Sequence, residues 1–195
     1  SVSPVSLKMR WNPDGAGRAA AAGRLPADVD ERQMSLFAAA WFLRSVSACQ
    51  AKAAEVEYFE LTGPRGLMAD EWDLPYAFPA EPGMIYPLYI AFWALARFGE
   101  TRVSTLRRGN ATVLLLEGDR QDRVVISNPL NRRIVLDLSG FPETGRSLMM
   151  DHKNIQFLVK IAEEENIQEA WQTCVPGRTL MLEPYATMIL DYDKR

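Results

Sequence analysis

The stretch "EVEYFELTGPRG", residues 55–66, sets the reading of the fold. Alternation places Val56, Tyr58 and Glu60 on one face and Glu57, Phe59 and Leu61 on the other, so residues 55–62 are expected as a strand. The strand breaks into a loop at Gly63-Pro64-Arg65-Gly66, leaving the carboxylate of Glu60 near its end. A carboxylate at a strand exit, followed by glycines that let backbone approach a ligand, is a combination that active-site loops use.

Working outward, residues 2–11 read as an earlier strand through Val2, Val5, Leu7 and Met9, and "NPDGAGRAAAAGRLPADVD" follows as a long loop. From Asp30 the spacing of Met34, Phe37, Trp41 and Val46 predicts a helix over residues 30–50, with Asp28 or Asp30 as its N-cap. After the 55–62 strand comes a second long loop rich in proline and aromatics. "YPLYIAFWALARF", residues 86–98, is expected as a buried helix with Pro87 in its first turn and Gly99 as its stop. The order is strand, helix, strand, helix.

Beyond Gly99 the texture changes to short β-rich runs separated by turn signals. Strands are expected at 111–117, 123–127, 132–138, 179–183 and 186–191, with another run at "RSLMMD". Residues 154–171 read as a short helix or an excursion between strands. The chain thus divides into β/α units over residues 1–99 and an antiparallel β-sandwich over residues 100–195.

Composition limits the function. The 195-residue chain is 48% hydrophobic, enough to bury a core, and its net charge of −3 is interspersed, offering no basic field for nucleic acid or anionic lipid. No apolar run approaches the roughly 20 residues of a membrane span. No signal peptide is visible, but the chain opens on Ser1 as a strand already in progress, so this absence decides nothing and the location stays unknown, with the cytoplasm favoured. Cys49, Cys174 and the single histidine, His152, have no metal-ligand spacing, so no metal and no organic cofactor is expected. The cysteines read as packed thiols and His152 as a surface residue of a turn.

The order of "SPVSLKMRWNP", "DERQMSLFAAAW", "FELTGPRG", "YPLY" and "LEPYATMILD" resembles the D-apionate lactonase family and its glycosidase-like relatives. The likeness runs over essentially the whole chain. The family's aspartate-proline-arginine-glutamine helix start is Asp30-Glu31-Arg32-Gln33 here, and Asn12-Pro13 leads into Asp14-Gly15 rather than tyrosine-glycine. The resemblance implies the last units of a (β/α)₈ barrel, a C-terminal sandwich, a small sugar or sugar-lactone substrate, and an upstream barrel region of the same protein as partner.

Parallel-barrel sites form at the C-terminal strand ends. There Glu60 is the candidate catalytic acid or base, and Arg10, Asn12, Arg32, Gln33 and Arg65 are the candidate substrate-binding residues. The competing role for Arg10 and Glu60 is an ion pair tying two strands together. Asp30 is expected to cap a helix rather than to catalyse. Trp72, Tyr76 and Phe78 either stack on a sugar or pin their loop to the core, and Phe92, Trp93 and Phe98 belong to the core. A rival reading of the whole chain is a non-catalytic carbohydrate-binding or structural β module. Glycoside hydrolysis uses two carboxylates about 5 to 10 Å apart, and only Glu60 stands at a strand end in the sequence reading, so a second group is expected upstream.

Overall fold

Two short parallel strands, β1 (Val2–Val5) and β2 (Val56–Tyr58), pair with Val2 opposite Val56 and Val5 opposite Tyr58. The computed structural model describes residues 1–8, 25–58, 60–70, 78–96, 98, 102–142, 144–159, 167, 170–173 and 177–194. Parallel strands need a crossover, and helix α1 (Leu36–Cys49) supplies it. Helix α2 (Pro87–Ala96) follows β2 in the same sense, so this part of the chain is β-α-β-α.

Both strands are shorter than the alternation predicts. β1 closes at Val5, and residues 9–11 of the expected strand lie outside the described residues. β2 gives way because the chain after it folds onto itself: Leu67 N–H donates to the Leu61 carbonyl at 2.9 Å and Gly63 N–H to the Met68 carbonyl at 2.9 Å. These groups are then committed within the loop and are not available to a ladder with β1.

The expected helix over 30–50 is also interrupted. Residues Glu31–Met34 form a turn of 3₁₀ helix, Ser35 is extended with φ −115° and ψ 162°, and α1 begins only at Leu36. The cause is local. Ser35 uses both its backbone N–H (3.0 Å) and its hydroxyl (2.6 Å) on the Arg32 carbonyl, the acceptor that a continuous α-helix would offer to residue 36.

α2 carries apolar residues on every side, as a helix buried all round must. It packs on α1 through stacked rings of Phe42 and Phe92, centroids 4.1 Å apart, with Tyr58 of β2 edge-on to both. The Tyr58 hydroxyl lies 2.7 Å from that of Ser45.

Five antiparallel strands follow as one sheet: β3 (Arg102–Arg108), β4 (Ala111–Glu117), β5 (Gln121–Ser127), β9 (Thr187–Asp193) and β7 (Arg146–Met150), in that spatial order. β6 (Ile134–Asp137) and β8 (Thr179–Leu182) pair separately as an antiparallel ribbon. A single helical turn, α3 (Ile155–Leu158), lies between β7 and β8.

Inside the edge strand β3, the sheet is buried on both faces, which explains why β4 reads as a continuous apolar run. One face turns Leu114, Leu116, Val125, Leu148, Met150 and Ile189 toward Phe42, Leu43, Leu88 and Ile90 of the two helices, in one core. The alternate residues Val113, Val124, Ile126, Met188 and Leu190 meet Leu136, Leu180 and Leu182 of the ribbon in a second core.

One charged group is sunk into the first face. Arg123 of β5 is 4% exposed and Asp191 of β9 is 1% exposed, and they join through Nε–Oδ1 at 2.6 Å and Nη2–Oδ2 at 2.9 Å. Arg123 Nη1 donates to the Ala94 carbonyl of α2 at 2.8 Å, and Arg146 of β7 donates to Asp191 Oδ2 at 3.0 Å. The guanidinium lies 5.2 Å from the ring centroid of Trp93, 5.0 Å from Phe98 and 5.6 Å from Trp171.

Asp191→Asn leaves two cationic side chains facing a neutral group in a buried site. Denaturant unfolding of the variant is expected to show a loss of about 3 to 5 kcal/mol. Arg123→Met combined with Asp191→Leu is expected to recover a large part of that loss, because the buried Arg123 charge is removed together with its partner, while Arg146, 41% exposed at its side chain, keeps access to solvent.

Candidate functional site

The loop that leaves β2 is built to hold one shape. Gly63 sits at φ +86°, open to glycine and strained for other residues, and a Cβ on Gly66 would fall 2.6 Å from the backbone of Thr62. The buried Tyr86 hydroxyl donates to the Gly63 carbonyl at 2.9 Å, and Tyr86 N–H donates to the Leu67 carbonyl at 2.9 Å. Burial pushes the phenol far above its ordinary range, so it remains a donor at any physiological pH.

This loop carries Arg65 back toward the strand end. Its Nη2 donates to Glu60 Oε1 at 2.9 Å, and its Nη1 donates to Asp28 Oδ2. Arg65 Nε is buried and has no acceptor among the described residues. Glu60, Arg65 and Asp28 are 32%, 33% and 23% exposed at their side chains, so the cluster is half-open to solvent. Gln33, 3% exposed, grips the same loop from the other side, with Nε2 at 2.8 Å from the Gly66 carbonyl and 3.2 Å from that of Arg65.

Glu60, Arg65 and Gln33 are therefore brought together. Arg10 and Asn12 lie outside the described residues. Arg32, next to Gln33 in sequence, turns elsewhere. Its Nε and Nη2 bind the two oxygens of Asp30 at 3.0 and 2.7 Å, and its guanidinium stacks over Phe37 at 4.9 Å. Asp30 also accepts from Arg32 N–H at 3.0 Å, so it caps the 3₁₀ turn. These side-chain and backbone bonds from Arg32 outweigh burial and lower the Asp30 pKa.

Two members of the cluster were not legible as site residues. Asp28 reads in the sequence as a possible helix cap, and no local pattern links it to Arg65, 37 residues away. Tyr86 reads only as the first residue of the expected helix 86–98, which begins at Pro87. Of the loop aromatics, Phe78 is buried with its ring centroid 5.8 Å from that of Tyr86, pinning the loop, while Trp72 and Tyr76 lie outside the described residues. Trp93 is buried, Phe92 and Phe98 pack partly buried against the same core, and His152 is exposed. Among the described residues no set of three or more His, Cys, Asp and Glu side chains is placed to hold a metal, and no helix is long and apolar enough to cross a membrane.

Residues 1–100, just over half of the chain, match the D-apionate lactonase TIM barrel domain. The chain belongs to the D-apionate lactonase family. No curated protein matches it in sequence. Among solved structures, a GH30 endoxylanase from Clostridium papyrosolvens C71 shares 12% identity at a TM-score of 0.53, over 83% of this chain and 39% of its own. A GH39 enzyme from Xanthomonas axonopodis pv. citri shares 12% identity at a TM-score of 0.45, over 83% of this chain and 41% of its own. At such identity the likeness to the endoxylanase is one of fold alone, and the chain of this D-apionate lactonase family member spans 39% of that enzyme's length.

The Asp30 cap gives a pH-dependent test. Because its pKa is lowered on folding, its contribution is present above the ordinary carboxylate range and is lost as pH falls through and below that range. Asp30→Asn is expected to lose about 1 kcal/mol near neutral pH. The gap in melting temperature between wild type and variant should close in acid.

Proposed function

We propose that this chain forms the C-terminal part of a carbohydrate-acting hydrolase of the sugar-lactonase or glycosidase-like kind, and that Glu60, Arg65 and Asp28 line its substrate cleft. Residues 1–99 would supply the last β/α units of a (β/α)₈ barrel and residues 100–195 a β-sandwich packed against them. The observation that carries this reading is the meeting of two carboxylates, from the loops after two successive parallel strands, on one guanidinium. Barrel enzymes assemble their chemistry at that end of the strands.

Two hydrogen bonds and the width of a guanidinium keep the nearest oxygens of Glu60 and Asp28 within about 8 Å, inside the range of paired carboxylates in glycoside hydrolysis. The sequence alone offered no second carboxylate in this chain; Asp28 fills that role in the proposal. In lactone opening, water adds to the ring carbonyl carbon, and Glu60 takes the water proton. The ring C–O bond then breaks, and the proton passes to the departing alkoxide to give a hydroxy acid. Arg65 holds Glu60 in place and presents positive charge where the oxyanion develops. Gln33 fixes the backbone that carries Arg65, and Arg10 and Asn12 contribute substrate contacts from the neighbouring strand end.

The test is Glu60→Gln in the intact protein, with kcat on a sugar lactone or glycoside and the melting temperature measured on one preparation. The proposal expects turnover to fall about 10²-fold or more with the fold retained. Wild-type turnover in a clearly destabilised variant would make Glu60 a structural tie to Arg65 and leave the cleft to Arg10, Asn12 and groups upstream.

A further inference from the structure

A cavity of about 550 Å³ opens where the start of α1 meets two turns of the β-rich part. Its walls come from three separate segments. Arg32 and Phe37 flank the extended Ser35, His152 stands on the turn after β7, Ile155 and Gln156 begin α3, and Tyr185 lies on the turn between β8 and β9. It is distinct from the Glu60 cluster in its residues: no side chain lines both.

We propose that this cavity binds a small organic carboxylate whose ring or apolar body lies between Phe37, Tyr185 and Ile155. Volumes of about 300 to 1,000 Å³ are those of small-molecule sites, and the mixture here is theirs too, mostly apolar wall with a few polar groups. The sign of the ligand follows from the lining. Among the described residues Arg32 is the one fixed charge in the lining, paired on one edge with Asp30, and no carboxylate lines the cavity. Arg32 spends Nε and Nη2 on Asp30, while Nη1 has no acceptor among the described residues. A planar carboxylate is the acceptor that a guanidinium edge fits. Gln156 and His152 add side-chain donors on the opposite wall.

The walls are held in place without a ligand. Tyr185 sits at φ +59°, a left-handed conformation that is costly for a bulky residue. The conformation is imposed by bonds on both sides: Tyr185 N–H donates to the Leu130 carbonyl at 3.3 Å and Ala186 N–H to the Glu183 carbonyl at 3.1 Å. It delivers the tyrosine ring edge-on to Phe37, centroids 5.4 Å apart. The His152 turn is likewise fixed, with Asn154 Oδ1 accepting from Asp151 N–H at 3.0 Å and Asp151 Oδ1 accepting from Lys153 N–H at 2.8 Å. Backbone strain held by the surroundings and aimed at a cavity is a pattern of ligand sites. This inference stands whether or not the Glu60 cluster is catalytic.

Calorimetric titration of the protein with sodium benzoate, and separately with the neutral benzamide of nearly the same shape, tests it. The expected result is saturable one-to-one binding of benzoate, about tenfold or more tighter than benzamide. Arg32→Met or His152→Gln should weaken benzoate about tenfold or more. His152 is exposed, so its substitution does not threaten the fold and decides the matter if Arg32→Met is unstable. Absence of saturable benzoate binding, equal affinity for benzamide, or full affinity retained in every folded variant would overturn the proposal.

Discussion

A single buried guanidinium, that of Arg123, ties helix α2 to the five-stranded sheet. Its three nitrogens reach Asp191 on the neighbouring strand and the Ala94 carbonyl in the last turn of α2. The carbonyls of a helix's last turn lack intrahelical donors and carry the negative end of its dipole, so a cation is well placed there. Three aromatic rings close the remaining faces of the group. Taking two charges out of water is unfavourable by several kcal/mol per ion, and only near-complete pairing offsets it. Any sliding of α2 over the sheet would break one of these bonds while the charge stayed buried. The pair therefore acts on register and orientation more than on total stability.

The apolar layers around it follow from the same arrangement. Because β4 and β5 bury both faces, their residues divide strictly by parity, one set meeting the helices and the other the β6–β8 ribbon. The charged pair occupies the helix-facing parity, among Leu116, Val125 and Ile189. Trp93 of α2 and Trp171, beyond α3, bracket it at a centroid distance of 6.3 Å. Non-polar burial supplies the attraction between the layers, and the directional bonds of Arg123 select one of the many ways such layers can stack.

The parts of this fold that follow from local chemistry were readable from the sequence. The Pro87 start of α2 is observed, β4 has the bounds 111–117 that its apolar run predicts, and the strand-helix-strand-helix order stands. What was not readable depends on distant partners or on a competing local bond. β3 was missed because "RVSTLRR" mixes arginines and hydroxyls over an edge strand with one exposed side, and its pairing with β4 is what makes it a strand. The break at Ser35 depends on a hydroxyl choosing one carbonyl. In the site, Arg65 and Glu60 are five residues apart and both were legible as site candidates, whereas Asp28 and Tyr86 arrive through tertiary folding and leave no signature in the spacing.

The short 3₁₀ turn after Asp30 also explains why two adjacent polar residues serve different places. With about three residues per turn, successive side chains on such a helix diverge by about 120°. Gln33 can thus point inward to the Arg65 loop while Arg32 points outward to Asp30 and Phe37. A continuous α-helix through residues 31–36 would leave the Arg32 carbonyl to the backbone of residue 36 and remove the extended residue that separates the turn from α1. The serine that interrupts the helix thus bears on both surroundings: by engaging the Arg32 carbonyl it ends the turn that carries Gln33 to the Arg65 loop and Arg32 to the cavity beside Tyr185.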